Sequence, residues 1–386
     1  MFASHGDGAI SEEDHMRVLT FQVSVPPDTP DTSGLFIAGD FQGWNPASET
    51  HKLDRIDRRT YQITLSLPYE QHIQFKFTRG HWGVVEKGSH GEEIANRTLF
   101  ITESGTHTFT VAAWADNPPV KNSITGNVST ITIPAFARNR RIWVYLPPNY
   151  ATEPDRRYPV LYMLDGQNIF DNATSFAGEW GVDEICERLI LAGEIQPIIV
   201  IAIDNGGADR VNEYTPWPDS SRREGGAADK HLQEIISNVI PYVNDHYKTM
   251  TNPEQTGLAG SSLGGLTAVY AGFTYPETFG LIAGLSPSIW WDDNHLIRYV
   301  QSSKKRPLKL YMDMGTLESG TKRDTDNSGI SNSIRQLRSL HGVMLEKGFI
   351  PGIDLKSFED EGANHHESFW AARFPATLQF LFPPTL

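Results

Sequence analysis

Leu258-Ala259-Gly260-Ser261-Ser262-Leu263-Gly264 decides how this chain is read. A short apolar run ends near Gly260, and a helix-period segment runs from Leu263 to Phe273. Gly260 to Gly264 fits G-x-S-x-G, the pattern that lifts one serine onto a sharp strand-to-helix turn. Glycine at both flanks is expected to leave room where a Cβ would collide with the neighbouring strand and helix. Ser262 also gains a helix N-terminus, whose dipole favours developing negative charge. A Gly/Ser turn by itself would mean little. With a strand before it and a helix after it, Ser262 becomes a candidate nucleophile.

The flanking sequence supports that context. Val160–Leu164, Pro197–Ile203 and Leu308–Met312 are apolar without alternation, as strands covered on both faces are. Helical periodicity appears over 182–191, 232–247, 263–273, 334–347 and 370–382, and two further strands are expected at 129–133 and 141–146. The alternation predicts a doubly wound, mostly parallel α/β sheet over 123–386, with ligands at the carboxyl ends of its strands. Upstream, 15–117 alternates with a period of two in Arg17–Val23, Tyr61–Leu65, Ile73–Phe77 and His107–Val111, which predicts a small all-β sandwich. Pro118 and Pro119 suit a stiff linker, placed at 118–122.

Composition narrows the function classes. The 386 residues are 39% hydrophobic and 21% charged, with 33 Gly and 24 Pro, which excludes a disordered, collagen-like or coiled-coil chain. Lys plus Arg is 33 against 47 for Asp plus Glu, a net charge of −14, so nucleic acid is not an expected partner. The single cysteine, Cys186, rules out an internal disulfide and a multi-cysteine metal site. No apolar run reaches the roughly 18 residues of a membrane span. Met1–Asp7 has neither a basic n-region nor an apolar h-region. That leaves the compartment open between the cytoplasm and export with the signal removed. The oligomeric state is open too.

A serine nucleophile needs a base. Gly362-Ala363-Asn364-His365-His366-Glu367, just ahead of the last helix, offers two imidazoles between which spacing does not choose. The acid is expected after Leu310-Tyr311-Met312-Asp313-Met314-Gly315, at Glu318. Asp313 lies within the strand, and Asp324 and Asp326 are alternatives on the same loop. Whichever carboxylate serves would orient the imidazole and stabilise its cation. Oxyanion donors are expected from the backbone N–H of Leu263 and, in the turn Asp165-Gly166-Gln167-Asn168, of Gln167. Trp180, Tyr214 and Trp217 are expected to wall the cleft, with core packing as the alternative. No metal or organic cofactor is expected. Asp324–Gly329 starts like a calcium loop, but its twelfth position is Arg335, and His365-His366 lacks an H-E-x-x-H partner.

These residues lead to a resemblance. Tyr158–Gln167, Gly178–Asp183, Asn212–Trp217, the Ser262 turn and Gly362-Ala363-Asn364-His365 make 123–386 similar to the enterochelin-esterase and esterase D-like branch of the α/β-hydrolases. The resemblance implies hydrolysis of carboxylic esters through an acyl-enzyme, siderophore lactones and carbohydrate-linked acyl esters among them. It also implies that the catalytic histidine is the one after Gly-Ala-x, His365; the acid varies in this group. Leu35–Pro46 and Phe75–Trp82 resemble starch- and glycogen-binding-like modules with an immunoglobulin-like sandwich, which nominates Trp44 and Trp82 as sugar-stacking residues. The expectation is a serine carboxylesterase acting on a small-molecule or carbohydrate-linked ester. Its rivals are an acyltransferase with the same triad and an inactive carbohydrate-binding scaffold.

Overall fold

In the computed structural model the described residues are 15–384, apart from 27–28, 31, 89–90, 117–122, 136–137, 220 and 319–328. The N-terminal stretch Met1–Asp7, the linker expected at 118–122, Asp324 and Asp326 therefore lie outside the described residues. The chain divides into two compact units, the first ending at Lys121 and the second beginning at Asn122.

The smaller unit is built from β1 (Met16–Ser24), β2 (Leu35–Gly39), β3 (Lys52–Arg55), β4 (Thr60–Pro68), β5 (His72–Thr78), β6 (Arg97–Phe100) and β7 (Gly105–Thr110). Their order is β6-β5-β2-β3-β4-β1-β7, antiparallel apart from the β1–β7 pair. Alternation works as expected on β1, which buries Leu19, Phe21 and Val23 and leaves the residues between them partly open. Phe21 meets Phe75 of the distant β5 edge-on at 5.4 Å, so the sheet curls over its own core as a sandwich.

On β5 the alternation fails, because Gln74 and Lys76 are buried as well as Ile73, Phe75 and Phe77. The segment 86–97 accounts for this. Asn96 donates to Gln74 (3.0 Å), Glu93 pairs with Lys76, and wholly buried Glu86 takes a forked pair of bonds from Arg97 (2.7 and 3.0 Å). Polar side chains on a covered face are tolerated because each finds a partner.

The larger unit carries β8 (Asn127–Ala135), β9 (Arg138–Leu146), β10 (Val160–Leu164), β11 (Ile199–Ile203), β12 (Thr256–Ser261), β13 (Leu281–Leu285), β14 (Lys309–Gly315) and β15 (Leu355–Asp360). Their order is β8-β9-β11-β10-β12-β13-β14-β15, antiparallel through β8, β9 and β11 and parallel from β11 onward. All five residues of β10 are buried. Val160, Tyr162 and Leu164 enter one apolar core while Leu161 and Met163 enter the other, which is why the run does not alternate.

Helices α1 (Val182–Leu191) and α5 (Glu367–Leu381) cover the second of those faces. Helices α2 (Leu263–Thr274), α3 (Trp291–Ser302) and α4 (Asn332–Glu346), with a helical stretch over 228–246, cover the first. The sheet is doubly wound and mostly parallel. Of the larger unit's labelled elements, β13, the edge strand β15 and α3 carry no mark in the sequence reading. Among the described residues no helix is long and apolar enough to cross a membrane.

Candidate active site

β12 ends at Ser261, α2 begins at Leu263, and Ser262 between them takes φ +57° and ψ −122°. A serine held there stores about 1–3 kcal/mol of strain, so its surroundings must enforce the turn. A Cβ on Gly260 would lie 2.7 Å from the Gly264 backbone. Gly264 itself is not tight, since its Cβ would meet nothing closer than 3.5 Å. The second demanding position is Gly265, where a Cβ would come within 3.1 Å of the Leu285 carbonyl and of Pro287 Cα. The expectation of crowding at both motif glycines is thus corrected: it holds at Gly260 and shifts by one residue to Gly265. The turn is tied to the end of β13, with the Ser262 N–H on Leu285 O (3.0 Å) and the Ser288 N–H on Ser262 O (2.9 Å).

The loop before α5 lies directly against the end of β14. Gly315 makes this possible, because a Cβ there would sit 2.2 Å from the Ala363 carbonyl oxygen. Leu317 N–H donates to Ala363 O (2.9 Å), Thr316 N–H to Asp360 O (2.9 Å) and Gly362 N–H to the Thr316 hydroxyl (2.9 Å). The outcome is a line of three side chains. His365 Nε2 is 2.9 Å from Ser262 Oγ, and His365 Nδ1 is 2.5 Å from Glu318 Oε2. Trp370 packs edge-on against the imidazole at 4.9 Å. His366 turns away: its Nδ1 accepts the Ser368 N–H (3.1 Å) and caps α5.

Glu318 has a side chain only 5% exposed. Burial pushes its carboxyl up, but the bond to His365, the imidazole's charge, the Ser286 hydroxyl (2.5 Å) and the Gly315 N–H (2.7 Å) together hold it below the usual range. Asp313 behaves oppositely. Wholly buried, it takes the Ser286 N–H (2.9 Å) and pairs with Arg373 (3.0 Å), and burial pushes it up to about 6 despite that arginine. Glu318, not Asp313, faces the imidazole.

The turn after β10 places Asp165 in the left-handed region (φ +60°, ψ +47°). Gly166 is pressed on β11, where a Cβ would lie only 2.6 Å from the Ile203 backbone. Asp165 accepts from Arg210 at both oxygens (2.7 and 2.8 Å) and from Asn205 (2.6 Å). The Leu263 N–H opens α2 and so lacks an intrahelical acceptor. The Gln167 N–H makes no backbone hydrogen bond among the described residues. Asp165 Oδ2 would be 3.6 Å from a Cβ on Gly264, so the two turns adjoin.

Two of the three expected cleft walls are core residues. Trp180, 4% exposed, packs against Trp370 (5.9 Å) and Phe374 (5.4 Å), because the apolar face of α5 covers it. Tyr214, fully buried, spends its hydroxyl on the Asp165 N–H (3.0 Å), which the left-handed turn would otherwise leave unpaired. Trp217 is half-buried and stacks flat on His295 at 4.0 Å. An aromatic missed in the sequence stands out instead. Trp290, 42% exposed, comes two residues after Ser288, whose hydroxyl is 3.4 Å from Ser262 Oγ, and the Arg222 guanidinium lies 4.9 Å above its ring. In the smaller unit, Trp44 and Trp82 are neighbours at 6.3 Å, with Trp82 41% exposed and Trp44 half-buried. Among the described residues no group of three His, Cys, Asp or Glu side chains is arranged to hold a metal ion.

Comparison with known proteins adds the lineage. The model of the Esterase family ("Putative esterase") matches residues 133–381. An uncharacterized protein of Bacillus subtilis, YbbA, is 28% identical over 251 residues, covering 64% of this chain and 94% of that one. The N-terminal region matches an alpha-amylase of Niallia circulans at 40% identity over 114 residues, 29% of this chain but only 9% of the amylase. The enterobactin esterase of Shigella flexneri, solved in the presence of enterobactin, superposes with a TM-score of 0.61 at 15% identity, covering 96% of this chain and 94% of that one. The fold is therefore an α/β-hydrolase preceded by an all-β, carbohydrate-binding-like region. The chain belongs to the Esterase family and is a hydrolase acting on esters.

Proposed function

We propose that the protein is a serine carboxylesterase. Ser262 attacks the ester carbonyl, and His365 Nε2 takes its proton and passes it to the leaving alkoxide. Glu318 holds the imidazole as the Nδ1–H tautomer and balances its charge, and water then releases the acid from the acyl-enzyme. The N–H groups of Leu263 and Gln167 stabilise the tetrahedral oxyanion. The observation that carries this reading is the unbroken line from Ser262 Oγ through His365 to Glu318, at 2.9 and 2.5 Å.

Turnover of a short-chain p-nitrophenyl ester tests it. Ser262→Ala is expected to lower kcat by roughly 10⁴-fold or more with the fold intact, whereas Ser261→Ala, altering a residue buried in β12, keeps most of it. Turnover that survives Ser262→Ala would overturn the mechanism. For the substrate, siderophore lactones and carbohydrate-linked acyl esters are the classes to compare side by side. The first is suggested by the enterobactin esterase likeness and the second by the amylase-like N-terminal region. Exposed Trp82 beside half-buried Trp44 favours a second role for the smaller unit, stacking on the apolar face of a sugar. Retardation by soluble starch in affinity electrophoresis, lost in Trp82→Ala, is the expected result.

A further inference from the structure

Ser286 follows β13 immediately, is 1% exposed and, at φ +41°, sits in a backbone conformation that serine rarely takes. Its hydroxyl has three partners: Trp370 Nε1 at 3.0 Å, Arg373 Nη2 at 2.9 Å and Glu318 Oε1 at 2.5 Å. The indole and guanidinium N–H groups only donate, so they occupy both lone pairs of the hydroxyl. Its one proton must then point at Glu318. The Gly315 N–H, also a donor only, reaches the same Oε1 at 2.7 Å. Oε1 is thus committed twice as an acceptor, and Oε2 alone is left for the imidazole.

Arg373 cannot be turned to another task. Its Nε pairs with Asp313 (3.0 Å) and its Nη1 with Asp360 (3.0 Å), while Asp313 also takes the Ser286 N–H at 2.9 Å. The direction of every bond around Ser286 is therefore set by groups with no freedom to reverse it. We infer that Ser286 is a positioning residue that fixes the polarity of the acid: its donated hydrogen bond makes the outer oxygen of Glu318 the acceptor for His365 Nδ1–H and leaves His365 Nε2 free to take the Ser262 proton. The inference rests on the proposed roles of Ser262, His365 and Glu318.

A consequence follows that a packing role for Ser286 would not produce. In Glu318→Gln the amide oxygen must face the Ser286 and Gly315 donors, so its NH₂ faces His365. That forces a proton onto Nε2 and turns the imidazole from base to donor toward Ser262. Glu318→Ala leaves the imidazole free to choose its tautomer.

The experiment is steady-state kinetics on a short-chain p-nitrophenyl ester with the full chain, each variant first matched to the parent by circular dichroism. Glu318→Gln is expected to be about tenfold or more slower in kcat than Glu318→Ala, and the gap should narrow when Ser286→Ala is added. Ser286→Ala alone is expected to lower kcat by roughly tenfold or more with KM within about twofold, and Ser286→Cys, a weaker donor, to recover part of it. Glu318→Gln at or above Glu318→Ala overturns the inference, as does Ser286→Ala with the parent's kcat. The Gln-to-Ala order leaves Ser286 in place, so it remains decisive even if the Ser286 variants fold poorly. Full turnover by Ser262→Ala would instead remove the underlying reading. Loss in Ser262→Ala together with parental kcat in Ser286→Ala would remove the inference alone.

Discussion

Two loops at the carboxyl end of the larger sheet are each braced by an arginine on an aspartate, and the two braces meet water differently. After β10, Arg210 grips both oxygens of Asp165 through Nε and Nη2, its side chain 28% exposed and that of Asp165 8%. Near the end of β14, Arg373 pairs with Asp313 at 4% and 0% exposure, and a second carboxylate, Asp360, shares it. Taking charges out of water costs several kcal/mol per ion, and only good partners offset it. The dry brace therefore acts as part of the core beneath the proposed acid. The wetter one can be loosened while the fold persists, and it governs the turn that carries the Gln167 N–H.

The largest effect should separate the braces. Arg373→Met strands Asp313 in the core and is expected to cost about 3–5 kcal/mol in urea unfolding. Arg210→Met is expected to cost only about 1–2 kcal/mol, with kcat falling more than KM rises. Equal losses of stability would erase the contrast between the two loops.

Acid pH should expose the same contrast within one brace. Asp313, raised to about 6, gains stability for the fold as pH falls through 6 toward the ordinary aspartate range. Glu318, held low, contributes stability that is complete above the ordinary glutamate range and is lost as pH falls through its own depressed value. The difference in urea stability between the parent and Glu318→Gln is therefore expected to hold, or to grow as Asp313 takes its proton, down to about pH 5 and to shrink below about 4. A difference that shrinks already near pH 6 would contradict the depressed carboxyl.

The smallest effects concern the elbow. Gly265→Ala should cost about 1–3 kcal/mol in thermal or urea unfolding, because the Leu285 carbonyl and the Pro287 backbone, each 3.1 Å from the added Cβ, would have to give by a few tenths of an ångström. Gly264→Ala should change stability by less than about 1 kcal/mol. The reverse order would return the crowding to Gly264.

The sequence revealed the central strands and the helices behind them because burial on both faces leaves an unbroken apolar run, as in Val160–Leu164. It was silent where packing rather than pattern sets the structure. Leu281–Leu285 is apolar but interrupted by Ala283-Gly284, and β15, half open at the sheet edge, alternates too weakly to announce itself. Missing β13 hid Ser286, although Gly284-Leu285-Ser286-Pro287 marks the end of an apolar run. His365 and Glu318 could be named as candidates from motif order, yet their meeting depends on Gly315 lying against Ala363, which no spacing rule encodes. Trp180 and Tyr214 stand out in the sequence as large aromatics within the stretches that carry the family resemblance. The same size and polarity suit a core ring and a buried hydrogen-bond partner, and only the packing distinguishes these uses.

The join between Gly315 and Ala363 constrains how this enzyme could diversify. Where not one methyl group fits between two segments, neither can be re-tailored by substitution without uncoupling acid from base, so that corner is closed to gradual retuning. New ester preferences would have to arise elsewhere, and the open rim formed by Trp290 and Arg222 offers side chains that can be exchanged while the proton-handling residues stay in place.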